Sequence, residues 1–141
     1  MPTIYYARAI DGLDRGTVLA EGALVGELLR ARGLDMVDPV SEWSKNEPSW
    51  AGGSGDHSSM VESDLRLLRK SDVVLMDVSI SGRSYIGCIC ELVYSYMWKI
   101  PVVVIVGDTG HEARPWLRYH AAHIVTGRQA AIDVVSEILA T

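Results

Sequence analysis

At 141 residues the chain fits a single domain, residues 1–141, with one core, and its 48% hydrophobic content predicts packing rather than disorder. A formal net charge of −5 argues against a protein that grips a nucleic-acid polymer, which calls for a basic stripe. A nucleotide-sized ligand held by a few local arginines stays open.

Taken in chain order, Thr3 to Ala7 predicts a first strand. Gly16 to Arg32 carries Leu19, Ala23, Val25, Leu28 and Leu29 at helical spacing, with Gly33 as a stop. Leu34 to Val37 reads as a short second strand. Asp38 to Ser58 holds Pro39, Pro48, three glycines, Trp43 and Trp50, and reads as a long loop of the kind that forms lids or binding loops. Ser59 and Glu62 form a capping box, so a helix is expected from Ser59 to about Lys70. Val73 to Met76 is a continuous apolar run, as in a strand buried on both faces of a parallel sheet.

Ser79 to Tyr85 reads as loop, Gly87 to Trp98 as helix and Pro101 to Val106 as a fourth strand. Gly107 to Pro115 is loop, Trp116 to His120 a helical turn, His123 to Val125 a last strand, and Arg128 to Leu139 an amphipathic closing helix. Tyr85 to Val106 is apolar enough to resemble a membrane span, but Glu91, Lys99 and Pro101 interrupt it. The first residues lack the basic start and long apolar stretch of a secretory signal, so a soluble cytoplasmic protein is expected.

Alternating strands and helices predict an α/β domain: a doubly wound, five-stranded parallel sheet, flavodoxin/Rossmann-like, in the order 2-1-3-4-5. Cys88 and Cys90 lie two apart and do not face each other on a helix, so two buried, unlinked thiols are expected. His57, His111, His120 and His123 lack metal-like spacing, and no metal or cofactor is expected.

Glu91 is the only charged residue in the fifteen-residue run Ser84 to Trp98. A carboxylate in so apolar a segment is costly to bury unless something pairs with it, and such residues are candidates for chemistry. In a doubly wound sheet, ligands bind beyond the carboxyl ends of the strands where strand order reverses. That point gathers Ala7 to Gly12, Asp77 to Gly87 and the start of the Glu91 helix. Glu91 lies one turn in from Gly87, whose missing side chain leaves a path to the carboxylate. Asp64 falls on the buried stripe of its helix, between Val61 and Leu68. Asp77 ends the third strand, where it either serves the site or accepts from loop amides around Ser79. One of Tyr5 and Tyr6 faces the site; alternation alone does not say which. Two carboxylates converging on one ligand point to glycosyl chemistry, with one attacking the anomeric carbon. To stay ionised, a buried Glu91 needs donors such as a tyrosine hydroxyl or loop amides.

Three stretches resemble the nucleoside 2-deoxyribosyltransferase family, including its deoxynucleoside 5′-monophosphate N-glycosidase branch. They are Ile4 to Gly12, Asp64 to Asp77 with its Ser-Asp-Val-Val strand entry, and Gly87 to Glu91 followed by an apolar helix and Lys99 to Val104. The resemblance implies that Glu91 is a nucleophile forming a glycosyl-enzyme intermediate, that Asp64 orients it or hydrogen-bonds the sugar, and that Tyr5 helps hold both. It implies a substrate-side set of Ala7, Arg8, Ile10, Asp11, Gly12, Asp77, Arg83, Ser84, Gly87 and Trp43. Ala9 and Asp11 stand where the phosphate-cleaving branch has a serine and an arginine, so a phosphate clamp here would draw on Arg8, Arg15, Arg83 and Ser84. Trp43 and Trp50 are candidates to stack on the base.

The expected activity is cleavage of the N-glycosidic bond of a (deoxy)nucleoside or its 5′-monophosphate, with transfer to a second base or to water. Expected partners are that small molecule and further copies of the chain, as a homodimer or higher homo-oligomer, with no membrane. The rival readings are a glycohydrolase of an NAD-type dinucleotide and a non-enzymatic flavodoxin-like sensing module.

Overall fold

A computed structural model describes residues 1–10, 12–46 and 57–140. The expectations for Asp11, Pro48, Trp50 and the glycines at 52, 53 and 55 lie outside the described residues. Five strands, β1 (Thr3–Arg8), β2 (Asp35–Val37), β3 (Val73–Asp77), β4 (Val102–Ile105) and β5 (His123–Val125), form one sheet in the order β2-β1-β3-β4-β5. Every pairing is parallel, with Ile4 opposite Val73 and Arg8 opposite Asp77 across the central pair.

Both faces of this sheet are covered, which explains the unbroken apolar runs in β3 and β4. On one face Ile4, Tyr6, Leu75, Val103 and Ile105 pack with Val25 and Leu29 of α1 (Arg15–Arg30) and with Ile132 and Val135 of α6 (Arg128–Ala140). On the other, Tyr5, Ala7, Val74, Met76 and Val104 pack with Leu68 of α3 (His57–Arg69), Leu92 of α4 (Ile86–Met97) and Leu117 of α5 (Pro115–His120). The alternation that sequence left open is thereby resolved: Tyr5 faces the α3–α4 layer and Tyr6 the α1–α6 layer. Among the described residues no helix is long and apolar enough to cross a membrane.

Local chemistry sets the helix ends. Asp14 caps α1 by accepting from the Thr17 N–H at 3.0 Å. Pro115 opens α5, where its missing N–H leaves no bond unmade. α4 ends with Lys99 in the left-handed region at φ 61°, a turn that returns the Ile100 N–H to the Ser95 carbonyl at 2.8 Å.

Three expectations are corrected. Asp38 to Ser58 is not one loop, because Pro39–Asn46 forms a helix, α2. Asp38 supplies its cap, accepting from the Val40 N–H at 3.0 Å, and Pro39 takes the first position. Ser59 is no N-cap, because α3 already starts at His57; the Ser-x-x-Glu pattern falls inside the helix. Of the two cysteines only Cys88 is buried, and Cys90 is exposed, since residues two apart project to different sides of α4.

Candidate active site

The strand order reverses between β1 and β3, and the groups of interest collect on the α3–α4 face of that seam. Tyr5 is fully buried, and its hydroxyl donates to Glu91 Oε2. Glu91 flanks the buried line of α4 formed by Cys88, Leu92 and Ser95. Its backbone carbonyl is held by the Ser95 hydroxyl at 2.7 Å. The residue as a whole is partly exposed, but its carboxylate is packed round by protein atoms. Asp64, half-buried on α3, accepts the Trp43 indole N–H at 2.7 Å. That contact ties α2 to α3.

The electrostatics follow from this burial. Burial pushes the Glu91 carboxyl up to about 7; the Tyr5 hydroxyl opposes the shift and the Asp64 charge adds to it. Burial also raises Asp64 to about 7, against the indole hydrogen bond from Trp43. Tyr5 is held far above its ordinary range, by burial first and then by Glu91 and Asp64. Cys88 is raised by burial and by Glu91. Both carboxyls thus sit near neutrality, each raised first by its own burial, with the Asp64 charge adding to the shift at Glu91. Near neutrality one carboxyl of such a pair can be ionised while the other keeps its proton.

The surroundings are uneven. Beyond its chain neighbours and its own helix backbone, no atom of the described residues lies within 4 Å of where a side chain on Gly87 would begin, so the first turn of α4 is open one turn from Glu91. Ala7 is buried at the end of β1, on the Tyr5 face. Asp77 accepts from the backbone N–H of Ser79 at 2.9 Å and from its hydroxyl at 2.5 Å, so it shapes the loop after β3. Gly12 sits at φ 76°, and a side chain there would begin 2.8 Å from Arg83 Nη1; the loops after β1 and β3 touch at that point. Ile10 packs beside Val18 and Val40, and Ser84 is exposed.

Arg8, a candidate for a phosphate clamp, is paired within the fold. Its Nη1 and Nη2 donate to the two Asp38 oxygens at 2.8 and 2.9 Å, and Nη2 also donates to the Val18 carbonyl at 3.1 Å. Arg8 Nε lies 3.0 Å from Glu21 Oε1, close enough to attract but not aligned as a hydrogen bond. Both partners of the Arg8–Asp38 pair are only 6% exposed. Gly22 of α1 makes room for the pair, since a side chain there would begin 2.3 Å from Asp38 Oδ2. Asp38 is the structural residue that sequence reading missed, although the Asp-Pro start of a helix is a legible signal. No sequence pattern announces the Trp43–Asp64 contact.

A cavity of about 560 Å³ opens at the other end of the sheet, before β4 and β5, lined by Tyr96, Lys99, Pro101, Tyr119 and His120 among others. Among the described residues no carboxylate lines it, and Glu91 lies outside it.

No protein-family model matches the sequence, and no curated protein matches it. Solved structures do. A conserved protein from Enterococcus faecalis V583 is similar over 98% of this chain and 99% of its own, with a TM-score of 0.73 at 16% identity. A 2-deoxyribosyltransferase from Leishmania mexicana matches with a TM-score of 0.71 at 16% identity, covering 97% of this chain and 98% of its own. A 2-deoxyribosyltransferase from Bacillus psychrosaccharolyticus, described as a biocatalyst for nucleoside synthesis, matches at 0.66 and 18% identity, covering 95% and 90%. The chain has the fold of these 2-deoxyribosyltransferases, the group that its sequence motifs also resemble.

Proposed function

We propose that the protein is an enzyme that cleaves the N-glycosidic bond of a (deoxy)nucleoside or nucleoside 5′-monophosphate through a glycosyl ester on Glu91. The carrying observation is the Tyr5–Glu91 hydrogen bond, formed at the strand-order reversal where Asp64 adds a second carboxyl. Tyr5 occupies Oε2 and leaves Oε1 to attack the anomeric carbon. As the new C–O bond forms, the C–N bond breaks and its electron pair moves onto the base nitrogen. Asp64, protonated near neutrality, hands its proton to that nitrogen and becomes a carboxylate. Water or a second base then attacks the same carbon, the ester bond breaks, Glu91 regains its charge and Asp64 takes the incoming group's proton. Both steps pass through an oxocarbenium-like transition state, which the neighbouring carboxylate charge stabilises.

The same reading includes self-association of this cytoplasmic enzyme. Ile86, Met97, Trp116 and Tyr119 on α4 and α5 are 66–75% exposed, apolar side chains that a partner would shield from water. A second copy of the chain is the partner proposed for these residues.

The test is incubation with deoxynucleosides, ribonucleosides, their monophosphates and NAD, with and without a free second base, followed by chromatography. Base release or base exchange is expected with a nucleoside-type substrate, and Glu91→Gln should lose it while staying folded. Full activity in Glu91→Gln would overturn the covalent mechanism. Cleavage of NAD alone would favour the dinucleotide reading.

A further inference from the structure

We propose that Trp43 is a positioning residue for this reaction, its indole N–H fixing one oxygen of Asp64 so that the other carries the proton handed to the departing base. The inference rests on the glycosyl reading above and assigns Trp43 a place other than the face of the base.

Trp43 stands on α2, 21 positions before Asp64, and its ring packs beside the Val18–Val40 cluster against α1. An indole N–H only donates, so Asp64 Oδ1, at 2.7 Å, is committed as an acceptor. When Asp64 is protonated, the hydrogen therefore belongs on Oδ2. When the proton leaves, negative charge grows on a carboxylate that already has a fixed donor at one oxygen. A donor aimed at charge that develops during reaction stabilises the transition state more than the ground state. Among the described residues, Glu91 on α4 and Tyr5 on β1 feel the Asp64 charge; each is neutral or negative, and neither supplies this stabilisation.

The position of Trp43 is itself secured. Asp38 caps α2 and is gripped by both Nη atoms of Arg8. The chain of contacts therefore runs from the end of β1, through Asp38 and α2, to the indole and on to Asp64.

The test has an arm that needs no substrate. The chain holds four tryptophans, so ¹⁵N–¹H spectra should show four indole signals. One of them, absent in Trp43→Phe, should move with pH between about 5 and 9, and it should become pH-independent in Asp64→Asn. An indole signal of Trp43 that ignores pH in the wild type would overturn the proposal, whether or not the protein cleaves a nucleoside. The second arm is kinetic. Trp43→Phe keeps an aromatic ring and removes the donor. It should lower kcat by about tenfold to a hundredfold while KM changes less than about threefold. The alkaline limb of the rate profile should move to higher pH, since loss of the donor makes Asp64 harder to ionise. In an Asp64→Asn background the same change should have little further effect. A raised KM with kcat intact, or effects of the two substitutions that simply multiply, would mean that Trp43 contacts the base and not the acid.

Discussion

Glu91→Gln should stabilise the protein above neutral pH while abolishing its chemistry. Burial moves the Glu91 carboxyl from 4.5 to about 7, so the folded state holds this proton more tightly than the unfolded chain does. The favourable contribution is therefore complete below about pH 4.5 and fades as pH rises through about 7. At about 1.4 kcal/mol per pH unit, keeping Glu91 ionised in the folded protein at pH 8 costs about 3 kcal/mol. Glutamine has nearly the same shape, carries no charge and still offers the Tyr5 hydroxyl an acceptor. Allowing for the partial exposure of the residue, the variant should gain about 2–3 kcal/mol at pH 8. For a chain of this size that is a rise in Tm of roughly 6–9 °C. Urea unfolding followed by tryptophan fluorescence at pH 4 and pH 8 measures the difference directly. It should be near zero at pH 4 and open between pH 4.5 and 7. A difference that is constant with pH would refute the claim that this carboxylate is held against its own solvation.

Two further substitutions probe the frame around the site. Asp38→Ala removes the cap of α2 and leaves Arg8 charged and buried, which should cost about 3–5 kcal/mol in urea unfolding at pH 7; a loss below 1 kcal/mol would show that the pair is solvated. Lys99→Gly relieves a left-handed residue at the end of α4 and should raise stability by roughly 1 kcal/mol, read as a higher urea midpoint at unchanged slope.

The layered sheet was legible because parallel strands buried on both faces write themselves as unbroken apolar runs, and Val73 to Met76 and Val102 to Ile105 are such runs. Glu91 was legible for the complementary reason, as a lone charge in an apolar helix. What stayed hidden depends on partners far apart in sequence. α2 is short and mostly polar, and it is secured by an arginine 30 positions before its cap, so its residues read as loop. The Ser59–Glu62 capping pattern misled because those residue types also occur inside helices. Alternation assigned Tyr5 and Tyr6 to opposite faces but gave no absolute direction. The packing of α3 and α4 supplied it. The indole of Trp43 reaches Asp64 only because two helices dock, and no local pattern encodes that meeting.

Tyr5, Trp43, Asp64 and Glu91 come from four different elements, one strand and three helices. None of these elements holds the proposed reacting groups alone. Any excursion that parts α3 from α4, or lifts α2, dismantles the proton inventory before the sheet itself comes undone. Turnover would then be a finer gauge of loosening in that layer than any bulk measure of helix content.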